Sequence, residues 1–299
     1  MTIFLALVLA ALMGLAIQRG GTCTVAAVEE IVLKRRVAQL SAMVFAALWV
    51  AGLLALAGFA GFAMHPPPGY ALSVFAIVGG ALLGLGASLN GACAFGTVAR
   101  LGAGQWAYVA TPLGFALGAW LAQWLLPRYM PQALPAAAAS PGQVLAWGLV
   151  LLALASALLR PGRKLAWSPA SATLVIGLCF VLLMLTVGGA WTWSETVAAW
   201  ARGMSMGLNS LSLLLVAALF AGSLFASMMA DRFAPVPPSL PSLLRCLAGG
   251  TLMALGASLV PGSNDSLLLI GLPMFWPFAW VAFATMCVVI ALATLVRRK

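Results

Sequence analysis

Residues 79–93, GGALLGLGASLNGAC, return 170 residues later as GGTLMALGASLVPGS at 249–263, with eight of the fifteen aligned positions identical. Low complexity alone would not align Gly79-Gly80 and Gly86-Ala87-Ser88-Leu89 with their counterparts so closely. Each copy runs from an apolar stretch into a polar, glycine-bearing spot, Asn90-Gly91-Ala92-Cys93 in the first and Pro261-Gly262-Ser263-Asn264 in the second. The chain is therefore expected to be two related halves, each with an apolar helix that breaks. Paired broken helices in a duplicated membrane protein point to a solute site near the bilayer midplane. Two further echoes fit one duplication. Gly20-Gly21-Thr22-Cys23-Thr24 resembles Gly188-Gly189-Ala190-Trp191-Thr192 at an offset of 168, and Phe45-Ala46-Ala47-Leu48 resembles Val216-Ala217-Ala218-Leu219 at 171.

Of the 299 residues, 64% are hydrophobic and 7% charged, against about 25% charged in soluble domains. Apolar runs of about 20 residues recur along the whole length, each long enough to cross a bilayer core. Their spacing predicts an all-α, multi-pass membrane protein with nine spans, at 2–18, 39–64, 71–90, 106–127, 144–160, 170–187, 207–230, 244–262 and 275–296. The first is a span rather than a leader, since it lacks a positive n-region and Gln18 to Cys23 is no small-x-small cleavage site. Residues 1–127 make the first repeat, 128–169 a connecting span with its loops, and 170–299 the second repeat, all within one integral membrane domain.

The formal net charge of +10 is carried by loops between spans, which is the positive-inside pattern and not a nucleic-acid face. With the N-terminus outside and the C-terminus cytoplasmic, twelve of the fifteen Lys and Arg fall on the cytoplasmic side, among them Lys34-Arg35-Arg36, Arg160, Arg163, Lys164, Arg232 and Arg297. The third span then runs inward and the eighth outward, so the two halves are expected to be inverted repeats. The single histidine, His65, stands among prolines and is expected in a surface loop.

Four breaks follow, around Cys23, Cys93, Trp191 and Ser263, each leading into a short helix such as Val25–Leu33, Ala94–Leu101 or Glu195–Arg202. Unwound backbone at membrane depth is tolerated only where protein or a polar cavity satisfies it. A helix that starts there aims unpaired N–H groups and partial positive charge at the centre, which suits an anion. Gly20, Gly21, Gly91, Gly96 and Gly262 are expected to permit turns and the close approach of a solute. Arg19 and Arg100 flank the two cysteine breaks and add positive potential. Asp265, the lone aspartate of the repeated motifs, reads as a capping or mouth residue, or as a proton or cation coupling site.

The five cysteines form neither a disulfide framework nor a CxxC metal site. Cys179, Cys246 and Cys287 sit within apolar helices and read as packing. Cys23 and Cys93 differ, because each sits at a glycine-bearing break. No cofactor or metal site is expected.

Gln18-Arg19-Gly20-Gly21-Thr22-Cys23 resembles the motif Gln-Arg-x-x-x-Cys, and Gly79-Gly80 through Gly86-Ala87-x-Leu89-x-Gly91-x-Cys93-x-x-Gly96 resembles a second motif of the same family. That family is the YeeE/YedE sulphur-transport family of bacterial inner-membrane proteins, whose characterised members take up thiosulfate. The resemblance spans essentially the whole chain. It implies an hourglass of inverted repeats with re-entrant short helices, and cysteines at the constriction that pass the anion along by S–H···S contacts. It also implies a cytoplasmic sulfur-carrier protein as a partner. Carried over, the matching thiols are Cys23 and Cys93, while the family's further cysteine falls at Ser263, followed by Asn264 and Asp265. A hydroxyl suits an oxyanion better than terminal sulfur, so sulfite, sulfate and selenium oxyanions stay open beside thiosulfate. Gln18, Thr22, Asn90 and Trp191 complete the expected lining.

The leading expectation is a permease for a small sulphur-containing anion, not an enzyme. Two alternatives are a sulfur-transfer or redox protein using a Cys23/Cys93 dithiol, and a non-transporting membrane subunit.

Overall fold

The computed structural model describes residues 2–62, 67, 69–126, 133–134, 167–203 and 210–298. The expected span at 144–160, the basic residues Arg128, Arg160, Arg163 and Lys164, and the loop residue His65 lie outside the described residues. The described chain is helical almost throughout. In the first half the helices are α1 (Thr2–Gly20), α2 (Thr24–Lys34), α3 (Ala38–Phe59), α4 (Val74–Asn90), α5 (Ala94–Gly102) and α6 (Ala110–Leu125), the last entered through a tight turn at Trp106–Val109. In the second half they are α7 (Pro169–Val187), α8 (Trp193–Ala201), α9 (Ser210–Met228), α10 (Leu240–Leu259), α11 (Asn264–Ser266) and α12 (Pro277–Arg297). A wider π turn, Leu267–Gly271, extends α11. One two-residue antiparallel pair, Gly69–Tyr70 with Ala133–Leu134, ties two connections together.

Local chemistry sets the boundaries. α7 and α10 begin at reciprocal capping boxes, Ser168 with Ser171 and Ser239 with Ser242, each with a proline in the first turn. That box moves the start of α10 to Leu240, four residues before the expected 244. α4 stops because Gly91 takes a left-handed φ of 78°, which costs glycine nothing. Among the described residues, seven helical segments are long and apolar enough to cross a membrane. In each, only a third to a half of the most apolar window is buried within the protein (33–50%), and large side chains such as Phe4, Phe59 and Trp124 stand exposed. In a bilayer such faces meet lipid, so their exposure carries no penalty.

The packing pattern repeats between the halves. α1 lies on α9, and its counterpart α7 lies on α3; α6 lies on α10, and its counterpart α12 lies on α4. The α6–α8 contact is matched by α12–α2. α4 and α10, the two GASL helices, meet at the centre, as do α1 and α7. Gly79 abuts Gly256 and Val260, while Gly86 abuts Gly249 and Met253, so α4 and α10 run antiparallel. A Cβ on Gly86 would stand 2.7 Å from the Gly249 carbonyl oxygen, and one on Gly249 would stand 2.7 Å from Asn90 Cβ. These are the small-residue contacts that let membrane helices approach backbone to backbone. The contact is self-complementary, as at an isologous dimer interface.

Candidate functional site

Four chain breaks converge where α2, α5, α8 and α11 begin. In the first half Cys23 is the N-cap of α2 and Cys93 the N-cap of α5, both with extended backbone. The Thr24 N–H donates to Cys93 Sγ at 3.2 Å, so the Cys23–Thr24 peptide lies against the second cysteine. Gly96 leaves the space that Cys23 Sγ occupies. Its missing side chain therefore admits the thiol, not a solute. Gly20 likewise packs against Ala172 of α7, whereas Gly21 makes the turn after α1 with a φ of 60°.

In the second half Thr192 caps α8 and Ser263 caps α11. The counterpart of the Thr24–Cys93 contact is Ser194 Oγ against Ser263 Oγ, 2.6 Å apart; both pairs are separated by 69 residues. Where the first half has thiols, the second has an oxygen cluster. Ser194 Oγ donates to Asp265 Oδ1 at 2.6 Å, Ser263 Oγ also donates to Oδ1, and the Ser266 N–H reaches the same oxygen at 3.1 Å. Thr192 Oγ1 lies 3.2 Å from Ser266 Oγ.

The halves are joined at the first residue of α5 and α11. The Ala94 N–H donates to Asn264 Oδ1 at 2.9 Å, and Asn264 Nδ2 donates to Thr24 Oγ1 at 3.3 Å. Ala94 and Asn264 are themselves 170 residues apart, the offset of the repeat. Asn264 is thus a strut between the thiol break and the hydroxyl break.

Several expected site residues have other work. Asn90 Nδ2 donates to the Ala92 carbonyl at 2.7 Å and to Thr97 Oγ1 at 3.2 Å, while its Oδ1 accepts from Thr111 Oγ1 at 2.9 Å. It braces the break against α5 and α6. Gln18 Oε1 accepts from Ser223 Oγ at 3.1 Å, linking α1 to α9. Arg100 is exposed at the far end of α5, away from the breaks, as an anchoring residue would be. Arg19 is partly buried, with a buried Nε that has no partner among the described residues. Buried indole N–H groups of Trp191 and Trp193 are also without a partner there, and Trp193 is wedged between Phe115 and Phe220, with ring centroids 6.0 and 5.9 Å away.

Two recesses approach the breaks. A cavity of about 820 Å³ is walled by Tyr70, Phe115, Glu195, Arg202, Gly262 and Ser266, among others. Glu195 and Arg202 face each other in it at 3.9 Å. A crevice of only about 10 Å³ is lined by Gly20, Gly21, Thr22 and Cys23 with Gln39 and Thr173. Cys93 and Ser263, 0% and 1% exposed, line neither. Sequence reading missed Thr24, Thr192, Ser194, Glu195 and Ser266. The signal was present: adding the 170-residue offset to Thr24 gives Ser194.

No curated protein matches the chain closely enough to count as a relative. The family model described as Sulphur transport matches twice, over residues 19–163 and 154–292. Those two matches together cover almost the whole chain, one on each half, and the chain belongs to the YeeE/YedE sulphur transport family.

Proposed function

We propose that the protein imports a small sulphur-containing anion, thiosulfate in the first instance, across the inner membrane through a constriction formed by Cys23, Cys93 and Ser263. The observation that carries this reading is the meeting of the two cysteine breaks with the serine break, between a large cavity and a crevice, at the Ala94–Asn264 junction. Unused buried donors suit an anion. Arg19 Nε and the indole N–H groups of Trp191 and Trp193 are desolvated without acceptors among the described residues, and a buried donor left unpaired costs about 1–3 kcal/mol. An anion passing nearby supplies the missing acceptors.

The path runs from the cavity, past Gly262 and Ser266, to Ser263, then to the Cys93 and Cys23 thiols and out by Thr22. A thiol is polarizable and only weakly polar, so it contacts terminal sulfur without binding it tightly. With the C-terminus cytoplasmic, as the distribution of Lys and Arg along the sequence implies, the crevice side is cytoplasmic, and a sulfur-carrier protein there would take up what is delivered.

The test is uptake of labelled thiosulfate, sulfite and sulfate by cells lacking their own importers. Thiosulfate uptake above the empty-vector level is expected. Uptake of none of the three would overturn the reading. The meeting of the two cysteine breaks favours one second reading, a redox dithiol. It requires Cys23 and Cys93 to form a disulfide at about 2.05 Å; mass spectrometry of thiols alkylated during and after turnover separates the two, because transport by weak contacts leaves both thiols free throughout.

A further inference from the structure

The Asp265 carboxylate is unevenly partnered. One oxygen, Oδ1, receives the Ser194 hydroxyl, the Ser263 hydroxyl and the Ser266 N–H. The other, Oδ2, is buried and has no partner among the described residues, and the residue is 1% exposed. Arg202 is 3.9 Å from the Glu195 carboxylate, and no ion pair of Asp265 is found among the described residues. The Asp265 carboxylate, at membrane depth, thus has no guanidinium or ammonium within ion-pairing distance among the described residues. Such a charge is retained only when something neutralises it.

We propose that the serine break holds a monovalent cation, Na⁺, between Asp265 and the hydroxyls of Ser194, Ser263, Thr192 and Ser266. The four hydroxyls already stand in contact, Ser194 with Ser263 at 2.6 Å, Thr192 with Ser266 at 3.2 Å and Thr192 with Ser194 at 3.4 Å. Each hydroxyl can turn its proton away and offer a lone pair. One carboxylate plus neutral oxygens matches a single positive charge. A divalent ion calls for more carboxylates or retained water, and no group of three His, Cys, Asp or Glu side chains is found among the described residues. The ion would sit beside the anion path, on the side where the large cavity reaches Ser266, so the second half gives up a thiol and gains a cation site. Binding of Na⁺ is separate from the sulphur-anion reading, and each can fail without the other.

The experiment is equilibrium binding of ²²Na⁺ to the purified full-length protein in detergent, at constant ionic strength set with choline chloride. Saturable binding is expected, displaced by unlabelled Na⁺ and much less by K⁺. Asp265→Asn should weaken it about a hundredfold, as removal of one partner of a buried charge pair does. Ser194→Ala and Thr192→Val should weaken it by smaller factors, and Thr285→Val, on α12, should leave it unchanged. Since Asp265→Asn could misfold, size-exclusion behaviour is compared first, and the wild-type measurement stands on its own. Absence of saturable ²²Na⁺ binding to wild type across the neutral and mildly acidic range overturns the proposal; the carboxylate then carries a proton. Equal binding by wild type and a folded Asp265→Asn overturns it as well.

Discussion

At the scale of single residues, the centre holds two different chemistries related by one offset. Cys93 and Ser263 occupy equivalent N-caps, and the difference between them decides what each half can offer an anion. Cys93→Ala is expected to impair uptake far more than Cys179→Ala, with both variants folded, because Cys93 accepts the Thr24 N–H at a break whereas Cys179 is buried within α7. Equal uptake at matched expression would make the break cysteines structural. Ser263→Ala should slow uptake of both thiosulfate and sulfite. A lost compensating hydrogen bond of about 1–3 kcal/mol corresponds to about five- to a hundredfold in rate. Ser263→Cys should tilt preference toward terminal sulfur, since a thiol is the softer and weaker donor. Competition uptake of thiosulfate against sulfite measures both, and an unchanged ratio and rate would remove Ser263 from the path. At this scale the sequence placed Cys23, Cys93, Ser263 and Asp265 at helix breaks, where the structure has them, because glycine and proline punctuate the chain beside them. It did not reveal that Asn90 and Gln18 brace neighbouring helices, since a hydrogen-bond partner as distant as Ser223 leaves no local trace.

At the scale of elements, glycine placement governs how closely the central helices approach. Gly86→Ala would press a methyl onto the Gly249 carbonyl and Met253 N. Neither is a flexible side-chain end, so α4 and α10 must part, at an expected cost of about 1–3 kcal/mol. Gly58→Ala, near the exposed end of α3 with nothing within 4 Å, should change stability by no more than about 0.5 kcal/mol. Thermal unfolding of the two variants in detergent compares them directly. An equal midpoint would show that the GASL crossing is not close packed. Helix existence was legible from apolar run length: seven of the expected spans coincide with described segments long and apolar enough to cross a membrane, and the one at 106–127 with the shorter α6. Their ends were less so. α3 stops at Phe59, although the apolar run continues to 64, because hydropathy alone carries no stop signal. The short helix α8 starts at Trp193, with Thr192 accepting the Glu195 N–H, two residues ahead of the expected Glu195.

At the scale of the whole molecule, each half packs chiefly against the other. α1 rests on α7 and α9, and α10 rests on α4 and α6, so neither half retains its main contacts alone. Chains divided within the alanine-rich connection at 135–140 should each be degraded when expressed singly, yet co-purify when expressed together. Stable accumulation of either piece alone would mean that a repeat is an independent domain. The two recesses differ in size by far more than the repeats differ in sequence, about 820 Å³ against about 10 Å³. A molecule built of two like halves carries the template for a second state. If the first half adopts the posture of the second, and the second that of the first, the open room passes to the opposite face of the membrane. Thiol-reactive labelling from either face tests this: with Cys23 and Cys93 kept and the unsubstituted protein labelled in parallel as the baseline, Thr22→Cys should become reactive under the conditions that protect Ser266→Cys. Protection of both together would mean that the protein keeps one posture and conducts through it.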